Sequence, residues 1–209
     1  MIKTENLTFQ YQKYNHTFSF PDINLEQNED LLILGKSGIG KTTFLHLLAG
    51  LLKPQQGKVI IANTDINLLS NNKLDQFRGK NIGLVFQQKH AITSLSVLKN
   101  MQARVFFSQS KVSTEEIVNL LNQLEIGDLK NKNVNELSEG QLQRLSIAMS
   151  VIHKPKILLA DEPTSSLDDD TCKIVINLLK EQAKQTGASL IVITHDQRIK
   201  PYFQNQITL

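Results

Sequence analysis

The chain has 209 residues, a net charge of +3 and a charged fraction of 21%. This length suits one compact α/β domain, the composition is that of an ordinary globular protein, and the small positive charge calls for no nucleic-acid-binding surface. The only cysteine, Cys172, cannot form an internal disulfide and fits a reducing compartment.

Apolar segments of the length that membranes require are missing from the sequence. The first 13 residues contain no apolar core followed by a cleavage site, so we expect no secretory signal. No apolar run approaches the roughly 20 residues that cross a bilayer. A role at a membrane would therefore depend on another chain.

Short apolar patterns predict an α/β fold. Leu7-x-Phe9-x-Tyr11 and Phe18-x-Phe20 alternate as half-buried strands of a small antiparallel sheet do, whereas the continuous apolar run 31–34 is typical of a strand buried on both faces. Strands alternating with helices indicate a mainly parallel sheet with crossover helices. Further buried strands are predicted at 59–62, 82–86, 157–160 and 190–193, and helices at 42–52, 114–125, 139–152 and 171–186.

The middle of the chain differs from the rest. Residues 88–152 contain no convincing strand, and the polar, Asn-rich stretch 125–136 reads as a loop. We therefore expect a single domain over 1–209, whose core is formed by 1–87 and 153–209 and into which 88–152 is inserted as a helical subdomain.

The sequence GKSGIGKT at 35–42 follows a predicted buried strand and opens a predicted helix, the setting of a phosphate-binding loop. Its glycines let backbone N–H groups converge on phosphate oxygens, Lys41 supplies a point charge near the β- and γ-phosphates, and the Thr42 hydroxyl can ligate Mg²⁺. The predicted nucleotide-binding residues here are Gly35, Lys36, Ser37, Gly38, Ile39, Gly40, Lys41, Thr42 and Thr43.

A second apolar strand, 157–160, runs into Asp161 and Glu162. Because successive strand residues point to opposite sides, Asp161 can face the Mg²⁺ shell while Glu162 faces the space beyond the γ-phosphate. A carboxylate there can act as a general base on water, an effect typically worth ~10²–10⁴ in rate.

The run Leu137-Ser138-Glu139-Gly140-Gln141 precedes residues with helical apolar spacing. Ser138 is a plausible helix N-cap. A sharper interpretation is that its hydroxyl and the helix N-terminus bind a γ-phosphate. The same pattern supports both.

Together these motifs resemble the nucleotide-binding subunits of ATP-binding cassette (ABC) transporters over essentially the whole chain. The resemblance implies that Gln87 contacts Mg²⁺ or the lytic water and that His195, in Ile193-Thr194-His195-Asp196, contacts the γ-phosphate. It also implies that Asp168, in Ser165-Ser166-Leu167-Asp168, lies near a dimer interface. The aromatic residue under the adenine would be Tyr11, with Tyr14 as the alternative.

The resemblance further implies a working unit of two cassettes around two ATP molecules. Lys41, Thr42, Asp161 and Glu162 of one copy would face Ser138, Gly140 and Gln141 of the other, with ATP and Mg²⁺ as cofactors. Closure would drive membrane permease subunits at the cytoplasmic face of a bacterial membrane, through a coupling surface around Gln87 and 88–96.

The sequence departs from the family pattern in two places. Glu29-Asp30 replaces the usual Gly-Glu, and Glu139 stands where glycine is commonest. Like charges ~4 Å apart would repel by several kcal/mol at an effective dielectric near 20, so we expect the Glu139 carboxylate to point away from the phosphate.

The subfamily is indicated by the run Ser94-Leu95-Ser96-Val97-Leu98-Lys99-Asn100, which is similar to a pattern in small stand-alone cassettes of the lipoprotein-releasing, macrolide-efflux and cell-division types. The chain ends soon after His195, so we expect no C-terminal regulatory domain. Export or mechanotransmission is favoured. The alternatives are a DNA-repair cassette, a translation-associated cassette, an ATP-dependent dimerisation switch or regulatory module, and a small-molecule kinase.

Overall fold

The computed structural model describes residues 2–12, 16–87, 90–165 and 167–209. Its strands form two sheets, one antiparallel and one parallel. The strands are β1 (Ile2–Gln10), β2 (Thr17–Ser19), β3 (Asn24–Leu25), β4 (Asp30–Leu34), β5 (Gln56–Ile61), β6 (Thr64–Asp65), β7 (Ile82–Val85), β8 (Ile157–Asp161), β9 (Ser189–Thr194) and β10 (Gln206–Thr208). The α-helices are α1 (Lys41–Leu48), α2 (Asn71–Asn81), α3 (Val97–Ser108), α4 (Thr114–Gln123), α5 (Glu139–Val151) and α6 (Asp169–Thr186).

The parallel sheet has the strand order β10-β4-β9-β8-β7 and confirms the predicted α/β class. Its inner strands are apolar on both faces because each face covers a different cluster. In β4, Leu32 and Leu34 point into a cluster with α5 and α6, whereas Leu31 and Ile33 point into a cluster with α1 and the antiparallel sheet.

The antiparallel sheet has the order β2-β1-β5-β6, and β3 also pairs with β1. Strand β5 corresponds to the buried strand predicted at 59–62, and it joins this antiparallel sheet by pairing with β1 instead of entering the parallel sheet. In β1 the pairing register shifts between Glu5 and Thr8, where Asn6 has a φ of 51°. The bulge moves the buried positions from Ile2 and Thr4 to Leu7 and Phe9.

The four predicted helices are present, with shifted ends. Helix α1 ends at Leu48, four residues before the expected end, and the chain leaves it through Gly50 at a φ of 64°. Helix α2 was not predicted, because its sequence NNKLDQFRGKN contains no buried residue and so shows no apolar periodicity.

Between residues 90 and 152 the chain is helical, and in this described stretch the β pairing is limited to a single bridge between Ser96 and Asn133. The Asn-rich stretch contains two short 3₁₀ turns, Gly127–Leu129 and Val134–Glu136. No helix in the described parts of the chain combines the length and apolarity needed to span a membrane.

Candidate functional site

The phosphate loop connects the end of β4 to the start of α1. Gly40 adopts a φ of 105°, and a Cβ at this position would lie 2.7 Å from Cδ1 of Phe18, so the loop requires glycine there. The side chain of Lys41 folds back, and its Nζ donates to the carbonyls of Gly35 at 2.9 Å and Lys36 at 3.1 Å. The Lys41 side chain therefore holds the first two residues of the loop by hydrogen bonds to their carbonyl groups.

A cavity of about 280 Å³ opens in front of this loop. It brings together side chains from the loop, from the ends of β7, β8 and β9, and from β2. The lining residues are Phe18, Ser37, Gly38, Gly40, Lys41, Thr42, Thr43, Gln87, Glu162 and His195. The ends of neighbouring parallel strands thus meet at one edge of the sheet, where ligands of open α/β sheets bind.

Asp161 lies at the buried end of β8 and is 5% exposed. Burial raises the pKa of its carboxyl above the usual range, and a hydrogen bond from Thr42 opposes the shift. Its Oδ1 is one of the buried side-chain atoms without a hydrogen-bond partner among the described residues. A carboxylate oxygen in need of a partner, next to a threonine hydroxyl, fits a hard divalent cation such as Mg²⁺.

Glu162 follows at a φ of 48°, outside the extended geometry of the strand. The left-handed turn directs its carboxylate to the end of β9, where Thr194 Oγ1 donates to Oε2 at 2.5 Å and the His195 backbone N–H donates at 3.2 Å to Oε1. Burial raises the pKa of Glu162, but the bonds from His195 and Thr194 outweigh it, so that the pKa lies below its usual value. Glu162 is therefore ionised at neutral pH.

His195 and Gln87 are exposed side chains at the cavity. The His195 ring places Nδ1 2.9 Å from Oε1 of Glu162. The candidate base and the histidine from different strands are thus in direct contact, although 33 positions separate them in the sequence.

Ser138 is the N-cap of α5, as predicted. Its Oγ accepts from the Gln141 N–H at 3.3 Å, and the Gln141 side chain accepts from the Ser138 N–H at 2.9 Å, which completes a capping box. Ser138 and Glu139 are exposed, and a Cβ on Gly140 would meet no atom within 4 Å. None of the described residues of this signature run lines the phosphate-loop cavity of its own chain.

Asp168 caps α6. Its Oδ1 accepts from the backbone N–H groups of Asp170 at 3.1 Å and Thr171 at 2.9 Å. The bonds from Thr171 hold the pKa of this carboxyl below its usual value. The neighbouring Ser166 lies outside the described residues.

Two aromatic residues lie beside the loop. Tyr11 is half-buried, its hydroxyl is 3.0 Å from Thr43 Oγ1, and its ring meets Phe9 edge-on with centroids 4.8 Å apart. Phe18 lines the cavity, whereas Tyr11 does not. The alternative, Tyr14, lies outside the described residues.

The family model for ABC transporters matches residues 20–165. The chain belongs to the ABC transporter family. Membership makes it an ATP-binding cassette ATPase, in agreement with the order of its motifs.

Individual relatives cover nearly the whole chain. The cassette is 37% identical over 201 residues to the lipoprotein-releasing system ATP-binding protein LolD of Buchnera aphidicola, an alignment that covers 94% of this chain and 88% of that protein. It is 34% identical over 218 residues to the uncharacterized ABC transporter ATP-binding protein MJ0796 of Methanocaldococcus jannaschii, covering 100% and 93% of the two chains. The predicted similarity to lipoprotein-releasing cassettes is confirmed.

Solved structures agree. A dimeric post-hydrolysis state of the cassette MJ0796 bound to ADP and Pi superposes with a TM-score of 0.88 at 32% identity, covering 100% of this cassette and 94% of that chain. CbiO1 of Clostridium perfringens, part of an ABC transporter complex, gives a TM-score of 0.88 at 30% identity and covers 99% and 83% of the two chains.

Three residues at or near the site have no predicted role there. The alternating pattern at 18–20 predicts only a strand for Phe18, and no motif predicts a contact for Thr194 or Arg198. Thr194 could have been suspected, because it ends an apolar strand next to His195. No local pattern marks Arg198, whose contacts are described below.

Proposed function

We propose that this cassette is the ATP-hydrolysing subunit of a bacterial membrane transport complex. Two copies would close around two ATP molecules, and closure would drive membrane partner subunits. The observation that carries the proposal is the incomplete site: the cavity contains the phosphate loop, Glu162 and His195, while Ser138, Gly140 and Gln141 are not among its described lining residues. A second copy would supply them.

The first half of each site would come from one copy. The loop's N–H groups and Lys41 would hold the phosphates, and Thr42, Gln87 and Asp161 would hold Mg²⁺. When bound, Mg²⁺ supplies charge neutralisation on the phosphate oxygens. Glu162 is ionised and can take a proton from water, and His195, in contact with it, would meet the γ-phosphate.

The second half would come from the start of α5 in the other copy. Ser138 Oγ accepts the capping bond from the Gln141 N–H, which leaves the hydroxyl proton available to a phosphate oxygen. The cap and the anion site are therefore compatible. The helix N-terminus adds positive potential, and the open space at Gly140 allows close approach.

Membrane partners would dock in a second cavity, of about 340 Å³, between α2, β7, α3 and α5. His90 and Ala91 line this second cavity, while Gln87 lines the phosphate cavity, so the two cavities are connected by one short stretch of the chain. Gln88, within that stretch, lies outside the described residues. Arg104 also lines this second cavity, which we call the docking groove. It donates to Met149 O, Ile82 O and His153, and no described carboxylate pairs with it. Burial lowers the pKa of this guanidinium.

A partially buried cation that pairs with no carboxylate among the described residues favours an amphipathic segment of the membrane subunit that carries an acidic residue. The groove wall also presents Phe107, which is 71% exposed.

Similarity to LolD supports release of lipoproteins or another export or mechanotransmission role at the cytoplasmic face of the membrane. The alternative is an ATP-dependent dimerisation switch, as in cell division or a regulatory module, for which an ionised Glu162 beside His195 would be unnecessary.

The decisive experiment is Glu162→Gln. We expect the variant to bind Mg-ATP, hydrolyse it at least a hundredfold more slowly and accumulate as a dimer in light scattering. Glu162→Gln/Gly140→Asp is the matched variant: the added side chain meets no atom of its own chain, but its charge would oppose the phosphate of the other copy. A Glu162→Gln protein that stays monomeric in saturating ATP would refute the dimer model.

Docking is tested with two adjacent phenylalanines on α3. Phe107 lines the groove and Phe106, which is 76% exposed, does not. Phe107→Ser should reduce the fraction of cassette retained on washed native membranes severalfold and leave ATPase activity of the purified chain unchanged. Phe106→Ser should change neither, and equal losses in both variants would contradict the groove as the docking site.

A further inference from the structure

The guanidinium of Arg198 joins three parts of the chain, at Thr164, at 167–169 and at Asp196. Nε and one terminal nitrogen donate to the two carboxylate oxygens of Asp196 at 2.9 and 2.8 Å. The other terminal nitrogen donates to Asp169 Oδ1 at 2.6 Å and Leu167 O at 3.1 Å, and Thr164 O accepts a further bond at 3.3 Å. These five bonds match the five N–H donors of arginine.

One end of this cluster is tied to the catalytic edge of the sheet. Asp196 directly follows His195, and its backbone N–H donates to Thr194 Oγ1 at 2.9 Å, the same hydroxyl that donates to Glu162. The buried Thr164 hydroxyl donates to Asp196 Oδ2 at 2.8 Å. The bonds from Arg198 are the main reason that the pKa of Asp196 falls to about 2.

The other end is tied to the loop before α6. Leu167 and Asp169, both bonded by Arg198, flank Asp168, which caps the helix. The guanidinium therefore spans from the residue after His195 to both neighbours of Asp168.

We propose that Arg198 is a positioning residue that makes the γ-phosphate contact of His195 and the partner contact of Asp168 move together. The inference rests on the proposed function, in which His195 serves the chain's own site and Asp168 faces the second copy. ATP bound in one copy would then order the loop that the other copy must meet. Only a planar fork can make these bonds at once, because a lysine ammonium presents three donors from a single point.

The test uses Arg198→Met and Arg198→Lys in the Glu162→Gln background. We expect each to need about tenfold more ATP for half-maximal dimer formation, while the affinity of the monomer for ATP changes less than twofold. Lysine should not rescue the defect, although it keeps the charge. Lys180→Met is the control: Lys180 is 34% exposed and pairs with Asp30 at the far end of β4 from the phosphate loop. Equal dimer formation in Arg198→Met and Lys180→Met would overturn the inference.

A milder pair of variants covers the case in which Arg198→Met does not fold. Asp169→Asn weakens one link to the guanidinium by removing its charge, whereas Asp170→Asn removes the same charge from the same helix turn but affects only a pair with Lys173. We expect about a threefold shift in dimer formation for Asp169→Asn and none for Asp170→Asn. An equal shift in both variants would contradict the proposed coupling through Arg198.

Amide exchange of the monomer separates the two proposals. A non-hydrolysable ATP analogue should slow exchange over 167–171 at least threefold in wild type and leave it unchanged in Arg198→Met. If Glu162→Gln never dimerises, the proposed function fails, and this exchange difference still decides whether Arg198 couples the two loops. Identical protection in both proteins would refute the coupling.

Discussion

Lys41 Nζ lies 3.4 Å from Oε1 of Glu162, and both side chains are almost fully withdrawn from solvent. The lysine expected to hold the phosphates and the carboxylate expected to activate water are therefore paired with each other. Lys41 also donates to two loop carbonyls, so bound phosphate must replace several contacts of this side chain.

This pairing predicts the effect of Glu162→Gln on the monomer. Removing the negative charge releases Lys41, so the affinity for a non-hydrolysable ATP analogue should rise three- to tenfold, or about 0.7–1.4 kcal/mol. Calorimetry at concentrations where the protein is monomeric measures this. The control Glu5→Gln removes a charge that pairs with Lys3 and Lys58 on the antiparallel sheet, and it should have no effect. Weaker binding by Glu162→Gln would show that the pair does not compete with ATP.

Glu139 tests how the signature tolerates a charge. The residue is exposed at the start of α5, where only its backbone N–H is needed for an anion site. Glu139→Gly should therefore leave steady-state ATP turnover within a few-fold of wild type. A hundredfold rise would mean that the carboxylate does face the phosphate.

Substitutions of Gly40 and Gly140 should affect thermal stability and ATP-dependent dimer formation differently. Gly40→Ala places a Cβ at a positive φ and against Phe18. We expect the free energy of unfolding to fall by about 1–2 kcal/mol, the Tm to fall by roughly 2–8 °C, and ATP binding to be weak. Gly140→Ala meets no atom within 4 Å and adds a better helix former, so its Tm should be unchanged or higher. In the Glu162→Gln background, Gly140→Ala should still weaken dimer formation. Thermal melts and light scattering check both, and dimer formation equal to that of Glu162→Gln would count against the role of Gly140.

His153 predicts a pH dependence of stability. Burial, and then the charge of Arg104, lower the pKa of His153 from 6.5 to about 3. Between these values the unfolded chain binds a proton that the folded chain does not, so stability falls as pH falls from about 6.5 toward 3, by up to ~1.4 kcal/mol per pH unit. His153→Gln keeps an acceptor for Arg104 and removes the titration. Denaturant unfolding at pH 7 and 4.5 should show about 2 kcal/mol less acid destabilisation in this variant than in wild type; parallel curves would contradict a neutral His153.

Asp161 should be needed for ATP turnover but not for the stability of the nucleotide-free protein. Its carboxylate is buried and its pKa is raised by that burial, so Asp161→Asn should not lower the Tm of the nucleotide-free protein. The variant should lose at least a hundredfold in Mg-ATP turnover, and excess EDTA should reduce wild-type turnover to the same level. Asp75→Asn, on the exposed face of α2, is the control. Activity of Asp161→Asn within tenfold of wild type would exclude a role at the metal.

Part of the fold was readable because burial leaves a local pattern. Strands β4, β8 and β9 each contain an unbroken run of four apolar residues because each is covered on both faces, and Gly38 and Gly40 mark a loop that needs positive φ. Helix α2 left no such pattern, since none of its residues is buried, and β5 has the same apolar character in an antiparallel sheet as it would have in a parallel one.

The amino-acid sequence alone determined the phosphate loop, the paired carboxylates, the capped signature helix and their order along the chain, because each depends on residues within a few positions of one another. Only the tertiary structure decided that Glu162 turns at positive φ toward Thr194 and His195, that Lys41 pairs with it, and that Arg198 links Asp196 to the loop around Asp168. The physical reason is separation: the pair Arg198–Asp169 is 29 positions apart, and such contacts exist only once the parallel strands bring their ends together at one edge of the sheet.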